Sequence, residues 1–287
     1  MGIGEWFKKT FGKQPCAFCG AEVGMLKRTK IKDKSYICNT CSCSCSRYIQ
    51  RYRYTKEELL GHMEYMKRQA QLYGQLEGKF TLVVPSATIK QSVEFYDDHG
   101  LFRIRHRDGD DRYTKEFIRY DQVESYEPYL EESEPEEKGK PKEFGECGVD
   151  ITLVGGQTRT EQLPKGLQAH PYITETIRVC VNDRDRHTGQ LEVNQIIRHF
   201  DAIFGVHDDT KGLFQFGPTT QQRREGAAAV AMAGLFGAAV QAAKDGAVSE
   251  EAKAQFADAM QKSEDAATSG LAEYSRRADA AEALIDG

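Results

Sequence analysis

The sequence predicts an α+β chain built in several parts, and three observations carry that expectation. Two C-x-x-C pairs lie near the start, a series of short strand-like runs closed by one amphipathic helix follows, and an alanine-rich stretch ends the chain. The parts are read as an amphipathic segment over 1–13, a small cysteine-knuckle module with its helix over 14–78, and an antiparallel β domain over 79–207. A linker over 208–225 and a helical tail over 226–287 complete the chain.

In the first part, Ile3, Phe7 and Phe11 recur every four residues with Trp6 beside them and Lys8, Lys9 and Lys13 mostly elsewhere. Such a segment suits an anionic membrane surface, but stapling of its aromatics onto the cysteine module is the favoured reading. No long apolar run with a small-residue cleavage site is visible, and a cytoplasmic location is the expectation, with membrane association as a variant.

The second part holds Cys16-Ala-Phe-Cys19 and Cys38-Asn-Thr-Cys41, separated by eighteen residues. This is the C-x₂-C…C-x₂-C spacing of a zinc site. Each C-x-x-C turn aims two thiolates at one ion, and two turns fill a tetrahedral Cys₄ shell with no open position. A structural Zn²⁺ held by Cys16, Cys19, Cys38 and Cys41 is therefore expected, with an iron–sulfur cluster as the minor alternative. Cys43 and Cys45 are surplus to four ligands. Either can stand in for Cys41 as the fourth, although the C-x-x-C turn favours Cys41. Cys147 and Cys180 are isolated, and clustering of the other six points to metal binding in a reducing compartment.

Between the knuckles, 23–31 and 34–37 read as extended segments of a ribbon. Residues 46–54, SRYIQRYRY, are dense in Arg and Tyr, and Arg47, Arg51 and Arg53 are candidates for nucleic-acid contact. The same composition fits stems packed on the ribbon. Residues 1–79 carry 15 Lys/Arg against 7 Asp/Glu, whereas the remainder is acidic, within a net charge of −5. A basic head can meet an anionic partner or dock its own acidic body. Thr55-Lys-Glu-Glu58 is a capping box, opening a helix to about Tyr73 with Leu59, Met63, Met66 and Ala70 on one face.

Strand-like runs follow at 80–84, 93–96, 101–104 and 117–120, with turn residues at 97–100 and 108–111. Residues 131–145, EESEPEEKGKPKEFG, are nearly free of aliphatic side chains and are expected to form an acidic loop. Strands resume at 149–154 and 174–181, a turn is expected over 182–190, and Val193, Ile196, Ile197, Phe200 and Phe204 mark a helix over 191–204. A meander closed by one amphipathic helix is the pleckstrin-homology pattern. On that helix His199 reads as a boundary or core residue. Asp183, Asp185 and His187 alternate in the expected turn and are weak candidates for a cation, a solvated turn being favoured.

The tail is about one-third alanine, which favours helix. Residues 226–243 are uncharged, and Ala229, Ala233 and Gly237 form a small-residue ridge. Helix packing or self-association is the favoured role, with membrane insertion as the alternative. Charged amphipathic helix continues over 247–287, broken near Ser269-Gly270.

Cys16–Cys41, with Leu26-Lys27 and the run Lys32-Asp33 to Tyr36-Ile37-Cys38, resembles a bacterial family of unknown function that opens with a four-cysteine zinc-ribbon-like module. Its members often continue into a pleckstrin-homology-like β domain, and Phe117–Tyr126 looks like the strand-plus-YDxI stretch there. The resemblance covers about 14–130, and 149–205 more loosely. The family has glycine after the Lys-Asp, where this chain has Lys34-Ser35. A second likeness joins Gly246-Ala-Val-Ser-Glu-Glu and Phe256 to a C-terminal helical hairpin thought to serve oligomerisation.

No activity comes with either resemblance. The sequence carries no Walker loop, dinucleotide fingerprint, H-E-x-x-H or nucleophile elbow. The expectation is a non-enzymatic zinc-binding interaction or scaffold protein, self-associating or meeting a protein partner. Nucleic-acid binding and peripheral membrane binding are the alternatives.

Overall fold

The computed structural model describes residues 12–85, 90–107, 113, 115–133, 142–155, 166–174, 176–205 and 270–286. Residues 1–11, the linker over 208–225, the uncharged stretch 226–243 and the hairpin-like segment from Gly246 to Phe256 lie outside them. Among the described residues, no helix is long and apolar enough to cross a membrane.

The architecture is mixed α/β, with antiparallel sheets and few helices. Two hairpins come first: β1 (Gln14–Pro15) with β2 (Glu22–Val23), and β3 (Arg28–Lys30) with β4 (Tyr36–Cys38). A one-turn helix α1 (Asn39–Ser42) follows, then the long helix α2 (Lys56–Leu76). Next come β5 (Leu82–Val84), β6 (Gln91–Tyr96), β7 (Leu101–His106) and β8 (Ile118–Arg119), a four-stranded sheet in sequential order. Strands β9 (Val123–Ser133), β10 (Glu143–Leu153) and β11 (Ile177–Asn182) form a second sheet in the order β11-β10-β9, followed by α3 (Arg186–Ile203). The last helix, α4, covers 270–283.

The capping box starts α2 as its sequence requires. Thr55 Oγ1 accepts the Glu58 N–H at 3.3 Å, and Glu58 accepts the Thr55 N–H at 2.7 Å. The buried stripe of α2 differs from the apolar face expected. It is Leu59, His62, Met66, Gln69, Leu72 and Leu76, with Ala70 exposed. His62 and Gln69 are inside because each has a backbone partner. His62 Nε2 accepts from Ser46 N at 2.9 Å and Gln69 Oε1 from Phe117 N at 3.0 Å. Buried polar groups survive when paired. Gly74 does not stop the helix, since it costs only about 1 kcal/mol in an exposed position.

The four-stranded sheet is covered on both faces. Val93, Phe95, Phe102 and Ile104 join the main core, with Val193, Ile196, Ile197, Phe200 and Ile203 of α3 and Val149, Ile151 and Val179 of the second sheet. Phe200 sits among Phe95, Phe102, Tyr120 and Tyr126, at ring-centroid distances of 5.3, 5.3, 6.4 and 5.0 Å. On the other face Tyr96, Leu101 and Phe117 pack with Leu72 and Leu76 of α2 and Ala278 and Ala281 of α4. Glu94 and Arg103, opposite each other on β6 and β7, form a buried ion pair there.

Three expectations are corrected. The acidic loop over 131–145 is partly strand, because Glu143 pairs with Ser133, Phe144 with Glu132 and Glu146 with Glu131. A backbone ladder does not require apolar side chains, and here cations support the acidic strand. Arg178 pairs with Glu131 and Arg186 with Glu132. Strand β9 was not expected as an eleven-residue element. It carries Pro128 and few alternating apolar positions, and its place at the sheet edge tolerates the missing N–H. Finally, α3 starts in the middle of the turn expected over 182–190. Asp185 accepts the Thr188 N–H at 2.7 Å as N-cap.

Candidate metal centre

Each pair of thiols is presented by a hairpin end. The β1–β2 turn is closed by Cys16 N donating to Ala21 O at 2.9 Å and Gly20 N to Cys16 O at 2.9 Å. Gly20 has φ +74°, a left-handed conformation that glycine adopts without steric cost. Cys38 ends β4 and caps α1, and its Sγ accepts the Cys41 N–H at 3.3 Å. The knuckles are tied by Ala17 N donating to Tyr36 O at 2.8 Å and Cys38 N to Cys16 Sγ at 3.3 Å. Arg28 braces the assembly. Its guanidinium donates to Gly12 O at 2.6 Å and Val23 O at 3.1 Å and lies 4.6 Å from the Tyr36 ring centroid.

The result is one cluster. The sulfurs of Cys16, Cys19, Cys38 and Cys41 all lie within 4.8 Å of one another, with Cys19 and Cys38 at 3.8 Å. Four cysteines so placed can hold a metal ion. Burial opposes ionisation of Cys16, but the N–H groups of Cys19, Cys38 and Phe18 outweigh it and bring the thiol down to about 6. Burial and the three neighbouring thiols push Cys41 up. Metal binding would require all four thiols to be deprotonated and so would release protons. Cys43 and Cys45 lie outside the cluster. Cys43 ends the α1 turn, and Cys45 is fully buried, its thiol pushed up to about 11 by burial.

The tight turn between β3 and β4 explains the Lys-Asp motif. Lys34 takes φ +72° where glycine is the comfortable residue. Asp33 compensates: its Oδ1 accepts from Ser35 N at 3.0 Å and Ser35 Oγ at 2.6 Å, while Oδ2 accepts from Lys56 N at 2.9 Å at the start of α2. One carboxylate thus shapes the ribbon turn and ties it to the helix.

The other candidates are dispersed. Arg51 points inward, donating to Ser42 O at 3.2 Å and Ser46 O at 3.1 Å. Arg47 stacks on Tyr113 at 4.4 Å and Arg53 lies 5.9 Å from the Tyr52 ring. Lys27, Lys30 and Lys32 are exposed. Asp183 bridges to Lys90 at 3.1 Å and Asp185 caps α3, so the helix start employs the carboxylates weighed for a cation. His199 is half-buried, 3.1 Å from Asp97 Oδ1 and against Phe95.

A polar junction that the sequence did not reveal fastens the module to the β domain. Ser46 donates its N–H to His62 and its hydroxyl to Glu116 Oε2 at 2.5 Å. Glu116 Oε1 has no hydrogen-bond partner among the described residues and lies 4.0 Å from His170 Nε2. His170 Nδ1 accepts the N–H groups of Tyr172 and Ile173 at 3.2 and 2.8 Å. Burial pushes Glu116 up to about 7. Burial, aided by Arg51, brings His62 down to about 4, and burial with His62 nearby brings His170 down to about 3.

Paired hairpins with this four-cysteine cluster fit a zinc-ribbon-like module. A family model described as "Domain of unknown function (DUF4428)" matches residues 14–62, which take in both knuckles, the Arg/Tyr-rich strap and the first turns of α2. No curated protein and no solved structure matches the chain.

Proposed function

We propose that the chain is a non-catalytic zinc-binding interaction protein that self-associates through its C-terminal helices. The observation that carries the metal reading is the sulfur geometry. A Zn–S bond of about 2.3 Å puts tetrahedral sulfurs about 3.8 Å apart, and Cys19 and Cys38 are 3.8 Å apart. Four thiolates complete the shell, leaving no position for water or substrate, so the ion's role is to hold the two knuckles together. The β domain supports a recognition role. Its four-stranded and three-stranded antiparallel sheets, followed by α3, are compatible with the pleckstrin-homology-like reading of the sequence, and that reading supports recognition by analogy alone.

Elemental analysis of protein expressed without added metal tests the first half: one zinc per chain is expected, and loss of it in Cys41→Ser with Cys43 intact. An iron–sulfur absorption band, or no metal at all, would overturn it. Light scattering of the chain with and without 226–287 tests the second half, with a smaller assembly expected after deletion. Nucleic-acid binding is the second reading, favoured by exposed Lys27, Lys30 and Lys32 on the ribbon. It would show as steeply salt-dependent affinity for DNA or RNA. The inward set of Arg51 removes one of the three arginines it drew on.

A further inference from the structure

Helix α4 is joined to the domain it covers through residues 206–269, yet its seat is cut closely to its side chains. Gly100 has φ +64°, and a Cβ there would stand 2.0 Å from Tyr274 O and 3.0 Å from Ala278 N. The helix backbone therefore rests on the β6–β7 turn itself, which only small residues at the contact allow. Ala278 and Ala281 fill that role, enclosed with Leu72, Leu76, Leu101 and Phe117. Tyr274 stands edge-on to Tyr120, with ring centroids 5.2 Å apart.

Charge marks the same seat. Arg119 is almost wholly buried and grips Asp121 with two parallel bonds, Nε to Oδ1 at 3.0 Å and Nη2 to Oδ2 at 2.9 Å. Its remaining capacity goes to α4: Asp279 at 2.7 Å, Glu282 at 3.1 Å and Ser275 O at 3.3 Å. Arg277 answers in the other direction, donating to Asp97 O at 3.1 Å. Asp121 lies two residues from Arg119 on the domain itself, so the cation at the groove has a counter-charge that does not come from α4. Asp279 is exposed and Glu282 partly so, and an open cavity of about 260 Å³ remains beside Glu282, so the seat is not sealed.

We propose that this groove is a helix-binding site and that copies of the chain exchange α4 through it, each seating the other's helix. This rests on the self-association reading above and names the segment and surface that carry it. A fourteen-residue helix is marginal alone, so α4 gains its order from the groove, whichever copy provides it. The connection is long enough for both arrangements. Residues 206–269 would span about 96 Å even if wholly helical, against a diameter on the order of 40 Å for a domain of this size.

The test uses full-length chains carrying two different tags, mixed and co-purified, with a labelled peptide of residues 268–287 as a direct probe. Wild-type copies are expected to form a mixed species. Ala278→Glu with Ala281→Glu in both copies, or Asp279→Lys with Glu282→Lys as a second pair that keeps the small residues, should abolish it. The same variants should bind the peptide at least ten-fold more tightly than wild type, because their grooves are vacated. Persistence of the mixed species in both double variants would overturn helix exchange while leaving self-association through another segment standing. Absence of a mixed species in wild type would overturn both. Failure of the peptide to bind variants that remain folded by circular dichroism would overturn the groove itself.

Discussion

The ribbon and the β domain are folded by different means. The ribbon over 14–54 has strands of two or three residues, and its few buried side chains include Cys16, Ile31, Ile37, Cys38, Cys45 and Ile49. In the β domain five of the seven described strands have six to eleven residues, around a cluster of aromatic rings with Phe200 at its centre. A few short strands cannot offset chain ordering by burial alone. A metal ion at the four sulfurs would add a cross-link, and the difference teaches that the ribbon depends on such a ligand set and on Ile31, Ile37, Cys45 and Ile49 packing into the main core, where the domain relies on its own packing.

Removing the metal should separate the two most sharply. Structural zinc contributes about 10–16 kcal/mol in small metal-folded domains. Chelation is expected to abolish amide-exchange protection over 28–38 while 91–106 keep theirs. Retained protection in the ribbon would break the comparison. The converse is Phe200→Ala, expected to cost the domain about 3–5 kcal/mol by urea unfolding, with zinc content unchanged.

The junction between the regions yields a pH prediction. Glu116 in the folded chain is raised to about 7, so the folded state holds a proton that the unfolded state has released. Its contribution therefore falls as pH rises from the unfolded carboxyl range toward 7, by on the order of 3 kcal/mol in all. His62 and His170 act in the opposite sense. Lowered to about 4 and about 3, they stay neutral when folded, and stability is lost as pH falls below the unfolded imidazole value near 6.5. Two histidines outweigh one glutamate over the shared range, so thermal stability should peak near about pH 6–6.5. Glu116→Gln should remove the decline between the peak and pH 7, and an unchanged profile would show that Glu116 does not hold the proton. The smallest effect belongs to the ribbon turn. Lys34→Gly should stabilise the metal-loaded ribbon by about 0.5–1 kcal/mol, read as slower zinc release, because it relieves a left-handed lysine.

The cysteine spacing, the Thr55–Glu58 capping box, the Asp97–Gly100 turn and the apolar spacing from Val193 to Phe204 were legible along the chain. Each is a local instruction, carried by groups within about four residues of one another or by a ligand set with a known spacing. Other features were decided only when distant segments met. His62 and Gln69 are buried on α2 because Ser46 and Phe117 bring backbone donors to them. Strands β6 and β7 are covered on both sides because α2 and α4 roof one face and α3 the other. The ends of β9 and β10 pair although they are acidic, because arginines 178 and 186 arrive from β11 and α3. Arg119 and Asp279 lie far apart in sequence, and no periodicity or turn signal encodes their meeting. Local chemistry determined which elements form, and burial, which depends on what packs against a face from elsewhere in the chain, determined what they became.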